Sequence, residues 1–182
     1  SERQGAQQEA VRANAEQRHP DRPHERARGE HGAGGQDRYR DVALEESAVA
    51  RLGNSGPVSG YPLDVTDPES FATFLDKARA DGGGHIDVLI NNAGVMPVGP
   101  FLDHTEAAIR SAIEVNFYGV LNGCRLVLPE MVNRRRGHIV NIASLAGMLA
   151  VPGQALYAGT KFAIVGLSTA LADEFAPQGV EV

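Results

Sequence analysis

A single cysteine, Cys124, occurs in the 182 residues. No intrachain disulfide can form, which fits a reducing compartment such as the cytoplasm. Basic charge is also scarce: 17 Lys and Arg stand against 23 Asp and Glu, a formal net charge of -6. Nothing in that balance predicts a grip on nucleic acid or on an anionic membrane. No apolar run approaches the roughly 20 residues that a membrane span requires, and the first residues lack the apolar centre of a signal peptide. These absences predict a cytoplasmic protein that meets neither nucleic acid nor membrane. The sharpest local absence is in residues 1–40, which contain no Leu, Ile, Phe or Met but carry eight Arg and seven acidic residues. Such a segment buries no face. It reads as a polar, disordered tail or as a stretch translated out of frame, because codons read one base later permit a run close to T-x-S-S-G-I-x-I-G.

Residues 41–182 have the opposite texture. They are numerous enough to bury a sizeable core, and 42% of the whole chain is apolar. Leu44, Ala48 and Leu52, spaced four apart beside Val42 and Val49, predict an amphipathic helix. V-S-G-Y-P-L-D-V then reads as a strand ending at Asp64. T-D-P-E-S-F opens a helix with Asp67 at N-cap and Pro68 at N1, and Phe71, Phe74, Leu75 and Ala78 form its buried stripe. I-D-V-L-I-N-N-A-G predicts a strand buried on both faces. A long helix over 106–134 follows, then the strand H-I-V-N-I-A-S, a helix carrying Tyr157 and Lys161, and the start of a strand at G-V-E-V. Strands alternating with helices predict an α/β fold with a Rossmann-like, doubly wound parallel sheet. Its first strands are not legible, and its last strands are expected beyond the sequence.

Ligands of such sheets sit beyond the carboxyl ends of the strands, where Asp64, the N-N-A-G turn at 91–94 and Ser144 fall. Tyr157 and Lys161, four residues apart, share one face of their helix. Each feature alone has a plain structural reading: a solvated Tyr–Lys pair, a strand-end cap at Ser144, a helix-surface Asn116, a turn at N-N-A-G, a capping role for Asp64. Taken together, N-N-A-G, Asn116 in E-V-N-F-Y-G, Ser144 in N-I-A-S-L-A-G and Y-A-G-T-K at 157–161 stand in an order and spacing that resembles the short-chain dehydrogenase/reductase family. The resemblance covers about residues 41–182. Its N-N-A-G and short spacing separate it from the extended branch of epimerases and dehydratases that shares Y-x-x-x-K.

The resemblance implies an oxidoreductase that uses NAD or NADP to move a hydride between a secondary alcohol and a ketone. A proton must reach or leave the oxygen in the same event. A free phenol, with a pKa near 10, is a poor base at neutral pH, and a neighbouring ammonium favours the phenolate. By the resemblance Tyr157 is the general acid/base, Lys161 assists it and also holds the nicotinamide ribose, and Ser144 holds the substrate oxygen. Asn116 resembles the family's helix-kinking asparagine, whose backbone anchors a water behind Lys161. Asp64 and Val65 match positions lining the adenine pocket, and Asn91, Ala93 and Gly94 match positions packing along the cofactor. No metal is expected.

The chain departs from the family at its start. A strand and the loop T-G-x-x-x-G-x-G should receive the pyrophosphate on backbone N–H groups and a helix N-terminus, but the glycines from Gly29 to Gly35 are mis-spaced and follow no apolar strand. The expectation is that the chain alone transfers no hydride, with a non-catalytic fragment or scaffold as the competing reading. Acidic residues near Asp41 favour NAD. V-M-P-V-G-P-F-L at 95–102 and M-L-A-V-P-G at 148–153 point either to a hydrophobic substrate or to two loops packed on each other. A homodimer or homotetramer through the two long helices is expected of the complete domain.

Overall fold

The computed structural model describes residues 10–12, 49 and 58–182. The chain divides into two units, residues 17–62 and the remainder. In the smaller unit Val49 is helical, as predicted, and the rest of that helix lies outside the described residues. Residues 58–64, predicted to be a strand, are irregular. Gly60 weakens an extended segment, and Pro62 has no N–H to offer a ladder.

Among the described residues, the larger unit is built on four parallel strands that lie side by side in chain order: β1 (Ala10–Arg12), β2 (Val88–Asn91), β3 (Gly137–Asn141) and β4 (Val180–Glu181). No strand is expected in residues 1–40, yet Ala10–Arg12 pairs with Val88, Leu89 and Ile90. A ladder uses backbone groups alone, so a segment poor in apolar side chains can still satisfy an open edge. The rest of 1–40 lies outside the described residues.

In the larger unit the described residues form four α-helices: α1 (Pro68–Asp81), α2 (Glu106–Ile113), α3 (Gly119–Arg134) and α4 (Ala155–Phe175). Asp67 caps α1 as predicted, its carboxylate accepting the Glu69 N–H at 2.9 Å. A sheet that grows in one direction with the chain, crossed by right-handed connections, receives its helices on one face. That face is where Leu89, Asn91 and Ile139 are buried. Packing there is close: a Cβ added at Gly123 of α3 would stand 2.4 Å from Asn91 Oδ1 and 2.9 Å from the Phe71 ring. Phe71, Leu75, Leu89, Val127, Met131, Ile139 and Ile164 are all but inaccessible, and each large side chain so buried contributes about 1.5–3 kcal/mol. Val88, Ile90 and Val140, which alternate onto the opposite face, are half-buried. The prediction of a β2 segment buried on both faces is therefore corrected: the described helices cover one.

The helix predicted over 106–134 is two α-helices joined by a π turn, Glu114–Tyr118. Helix α4 with the turn after it, Ala155–Gln178, is long and apolar enough by length and composition to cross a membrane. This corrects the expectation that no run approaches that length. Alanines and aliphatic residues raise the average even though Tyr157, Thr160, Lys161 and Ser168 interrupt the run. A helix that packs in a globular core meets the same criterion, and α4 buries Ala158, Thr160, Lys161 and Ile164.

Charged pairs collect at the amino end of β2. Arg79 meets Glu130 at 2.7 Å, Glu130 accepts the Ile86 N–H at 2.7 Å, and Arg134 meets Asp87 at 2.6 Å. These contacts tie α1 and α3 to the sheet at the end away from Asn91.

Candidate active site

At the carboxyl ends of β2 and β3 the chain assembles the residues singled out in the sequence. Asn91 and Asn141 end their strands as register partners, and Asn91 Nδ2 donates to Asn141 Oδ1 at 2.8 Å. After β2 the backbone passes Ala93 and Gly94 and is caught at Val95 by Asn116. The Asn116 amide accepts the Val95 N–H and donates to the Val95 carbonyl, both at 2.8 Å. Only 1% of Asn116 is exposed, so a side chain inside a helix acts here as a piece of strand edge. The π turn that holds Asn116 interrupts the regular helical ladder at this point, as such turns do at functional sites.

Thr160 extends this link to α4. Its hydroxyl accepts from Asn116 Nδ2 at 3.0 Å and donates to the Tyr157 carbonyl at 2.7 Å. Thr160 went unmarked in the sequence reading, although it stands inside Y-A-G-T-K next to Lys161. Lys161 is 6% exposed. Its Nζ donates to the Ile142 carbonyl at 2.7 Å and lies 5.8 Å from the centre of the Tyr157 ring. Burial holds its pKa below the ordinary lysine range, because desolvation penalises the ammonium.

Ser144 follows β3 in extended backbone and caps a short 3-10 turn, Leu145–Gly147, its Oγ accepting the Ala146 N–H at 3.2 Å. That turn is seated directly on α4: a Cβ at Gly147 would stand 2.7 Å from the Lys161 carbonyl oxygen. Ser144 and the Tyr157–Lys161 turn are thus brought to one place by the approach of Gly147 to the helix.

The residues matched to the adenine side are held differently. Asp64 is exposed, and its carboxylate accepts the Thr66 N–H at 3.0 Å and the Thr66 hydroxyl at 2.7 Å. Val65 accepts from Asn122 through its carbonyl at 2.9 Å. Val65 also packs closely on Gly119, where a Cβ would stand 2.8 Å from Val65 Cγ2. The two apolar loops do pack together, through Gly99 N–H to the Gly153 carbonyl at 2.9 Å. They nevertheless leave Met96, Val98, Phe101, Leu102, Met148 and Leu149 exposed.

A parallel α/β sheet with its polar constellation at the carboxyl ends of the strands is the arrangement of Rossmann-like domains. The profile of the short chain dehydrogenase family matches residues 38–182. The chain is 41% identical over 140 residues to Oxidoreductase UcpA of Escherichia coli strain K12, covering 76% of this chain and 53% of that protein. It is 41% identical over 130 residues to the 3-ketodihydrosphingosine reductase of Bacteroides thetaiotaomicron, covering 71% of this chain and 48% of that one. The solved structure of ElxO with NADP bound superimposes with a TM-score of 0.71 at 32% identity, over 76% of this chain and 57% of the other. The chain belongs to the short-chain dehydrogenase family, and it spans about half the length of the curated relatives it matches.

Proposed function

We propose that the chain carries the proton-transfer half of an oxidoreductase that interconverts a secondary alcohol and a ketone with NAD or NADP, and that Tyr157 is its general acid/base. One observation carries the reading: a buried ammonium, Lys161, is stationed beside the Tyr157 ring and fixed to the Ile142 carbonyl. The residues present fit a nicotinamide cofactor. Gly94 has no side chain where a Cβ would come to 3.4 Å of Asn116 Oδ1 and 3.8 Å of Lys161 Nζ, so its open side faces the ammonium. Ala93, also small, precedes it after β2, with Val65 and Asp64 assigned to the adenine side. When bound, the nicotinamide gives or takes the hydride.

The chain's own groups handle the proton. The Tyr157 hydroxyl donates it to the substrate oxygen in reduction and removes it in oxidation. Lys161 favours the phenolate that remains and offers further N–H donors to a ribose. Ser144 donates a hydrogen bond to the substrate oxygen, and Asn116 holds the Gly94–Val95 backbone against α4 through Thr160. The exposed apolar side chains of the 95–102 and 148–153 loops favour a hydrophobic substrate, a reading the 3-ketodihydrosphingosine reductase relative supports by analogy. Acidic residues near Asp41 favour NAD. Exposed apolar side chains on the long helices, Ile113, Tyr118 and Phe162, favour a homodimer or homotetramer, and the lone Cys124 favours the cytoplasm.

The test places residues 64–182 in the corresponding span of UcpA and follows ketone-dependent oxidation of NADH and NADPH. Tyr157→Phe in that graft should lower turnover at least 10²-fold, the usual contribution of an acid/base group, with cofactor affinity nearly unchanged, while Lys161→Ala should damage both. Near-parental turnover of Tyr157→Phe would show the role to be wrong. The second reading, a non-catalytic scaffold, is favoured by the lack of a glycine loop in residues 1–40. It predicts no saturable binding of NADH or NADPH by the chain itself, followed by fluorescence, because the glycine loop of the graft comes from UcpA.

A further inference from the structure

We propose that Asn141 and Ser168 are positioning residues that set where α4 lies along the end of β3, and so hold Lys161 at its station. The consequence for catalysis rests on the proton-transfer reading of Tyr157 and Lys161; the clamp itself does not. Two polar contacts fasten α4 to neighbouring residues of one strand end. Asn141 Nδ2 donates to Ser168 Oγ at 2.9 Å, and Lys161 Nζ donates to the carbonyl of the next residue, Ile142, at 2.7 Å. Lys161 and Ser168 are seven residues apart, nearly two full helical turns, so they share a face. One contact would leave the helix free to slide or swivel about it. Two contacts, separated along the axis, remove that freedom.

The strand end that receives them is itself anchored. Asn141 Oδ1 accepts from Asn91 Nδ2 at 2.8 Å, and Cys124 Sγ fills the space between, 3.6 Å from Asn91 Nδ2 and 3.7 Å from Asn141 Oδ1. Asn141 must therefore accept on one side and donate on the other. An amide does both from one short side chain; an ionised carboxylate accepts only and an aliphatic group does neither. The chain of contacts runs from the N-N-A-G turn through β3 to the helix that carries Tyr157 and Lys161. The same bonds give the sheet end a fully paired polar interior, which excludes alternative seatings of the helix.

The sequence supplies a direct probe, because its only lysines are Lys77 and Lys161. Lys77 is exposed and serves as the reference, whereas Lys161 is buried. The folded full chain is acylated briefly with an amine-reactive ester, and peptide mass spectrometry gives the Lys161 to Lys77 labelling ratio. Ser168→Ala removes the acceptor yet favours helix, so the fold survives it. The ratio should rise about fivefold, the factor that one net hydrogen bond is worth, and Ser168→Thr, which keeps the hydroxyl, should restore the parental ratio. Met131→Ala, a core truncation in α3, should lower stability and leave the ratio unchanged. A parental ratio in Ser168→Ala, or an equal rise in Met131→Ala, would overturn the proposal. Failure of the Tyr157→Phe test in the UcpA graft would remove the catalytic role while leaving the labelling result in force.

Discussion

At the scale of single residues, the site pairs groups whose burial is tolerable only because each has a partner. Asn116 satisfies both sides of its amide at Val95, and Lys161 gives its charge to the Ile142 carbonyl. Cys124 shows the contrasting case, an ionisable group kept neutral. Burial is the largest cause that pushes its thiol up to about 11, against the weaker pull of the amides of Asn141 and Asn91. At neutral pH the nucleophilic thiolate is scarce and enclosed. Alkylation of Cys124 should therefore be slow in the native chain and rapid in denaturant, measured by mass spectrometry after a timed pulse of iodoacetamide. Fast native labelling would contradict the enclosure. The Tyr157–Lys161 pair was legible in the sequence because helical spacing alone puts two residues on one face. The partners of Lys161 were not, because Ile142 contributes only a backbone carbonyl, which every residue has.

At the scale of elements, two contacts decide how helices meet the sheet. The turn Leu145–Gly147 can approach α4 only because Gly147 has no Cβ; an added one would press on the Lys161 backbone, which cannot swing aside. Gly147→Ala should cost about 1–3 kcal/mol, as overpacking does, and should loosen the seat of α4. Chemical denaturation measures the first effect and Lys161 acylation the second; an unchanged midpoint would refute it. At the other end of β2, the Arg134 hydrogen bond holds the Asp87 carboxyl below the ordinary carboxylate range, with His85 adding to the effect. A depressed native pKa means that the unfolded chain takes up its proton first as pH falls. The stabilisation is thus complete above about pH 4 and is lost as pH drops through the native value. Asp87→Asn should lower stability by about 1 kcal/mol near pH 7, and the difference should vanish in strong acid, as urea midpoints at the two pH values will show. The order of helices and strands from Asp67 onward was readable from periodicity and caps. The strand expected at 58–64 was misread, since apolar spacing does not reveal whether a ladder partner lies alongside.

At the scale of the whole molecule, the proposed function separates proton transfer from pyrophosphate capture. The proton-handling groups it assigns lie between Asn116 and Lys161, whereas the pyrophosphate of a dinucleotide needs a glycine loop at a helix N-terminus. No such loop is legible in residues 1–40. The purified chain should then oxidise neither NADH nor NADPH with any ketone in a broad panel, and cofactor should not shift its melting. Turnover by the chain itself would overturn that expectation. Activity restored by the UcpA frame would show that the catalytic residues are intact and that cofactor capture was the missing step.

What the sequence determined by itself were the residue types, their order and the faces they share: Tyr157 above Lys161, Asp67 at the start of α1, N-N-A-G at the end of a strand. These follow from local geometry, because the periods of helix and strand act over a few residues. Only the tertiary structure decided which strand lies beside which, that Ala10–Arg12 closes on β2, that Asn116 reaches Val95 and Thr160, and that Asn141 joins Asn91 to Ser168. Those contacts span tens of residues in the chain. Their partners are chosen by the packing that pairs these buried amides, and no local pattern encodes that choice.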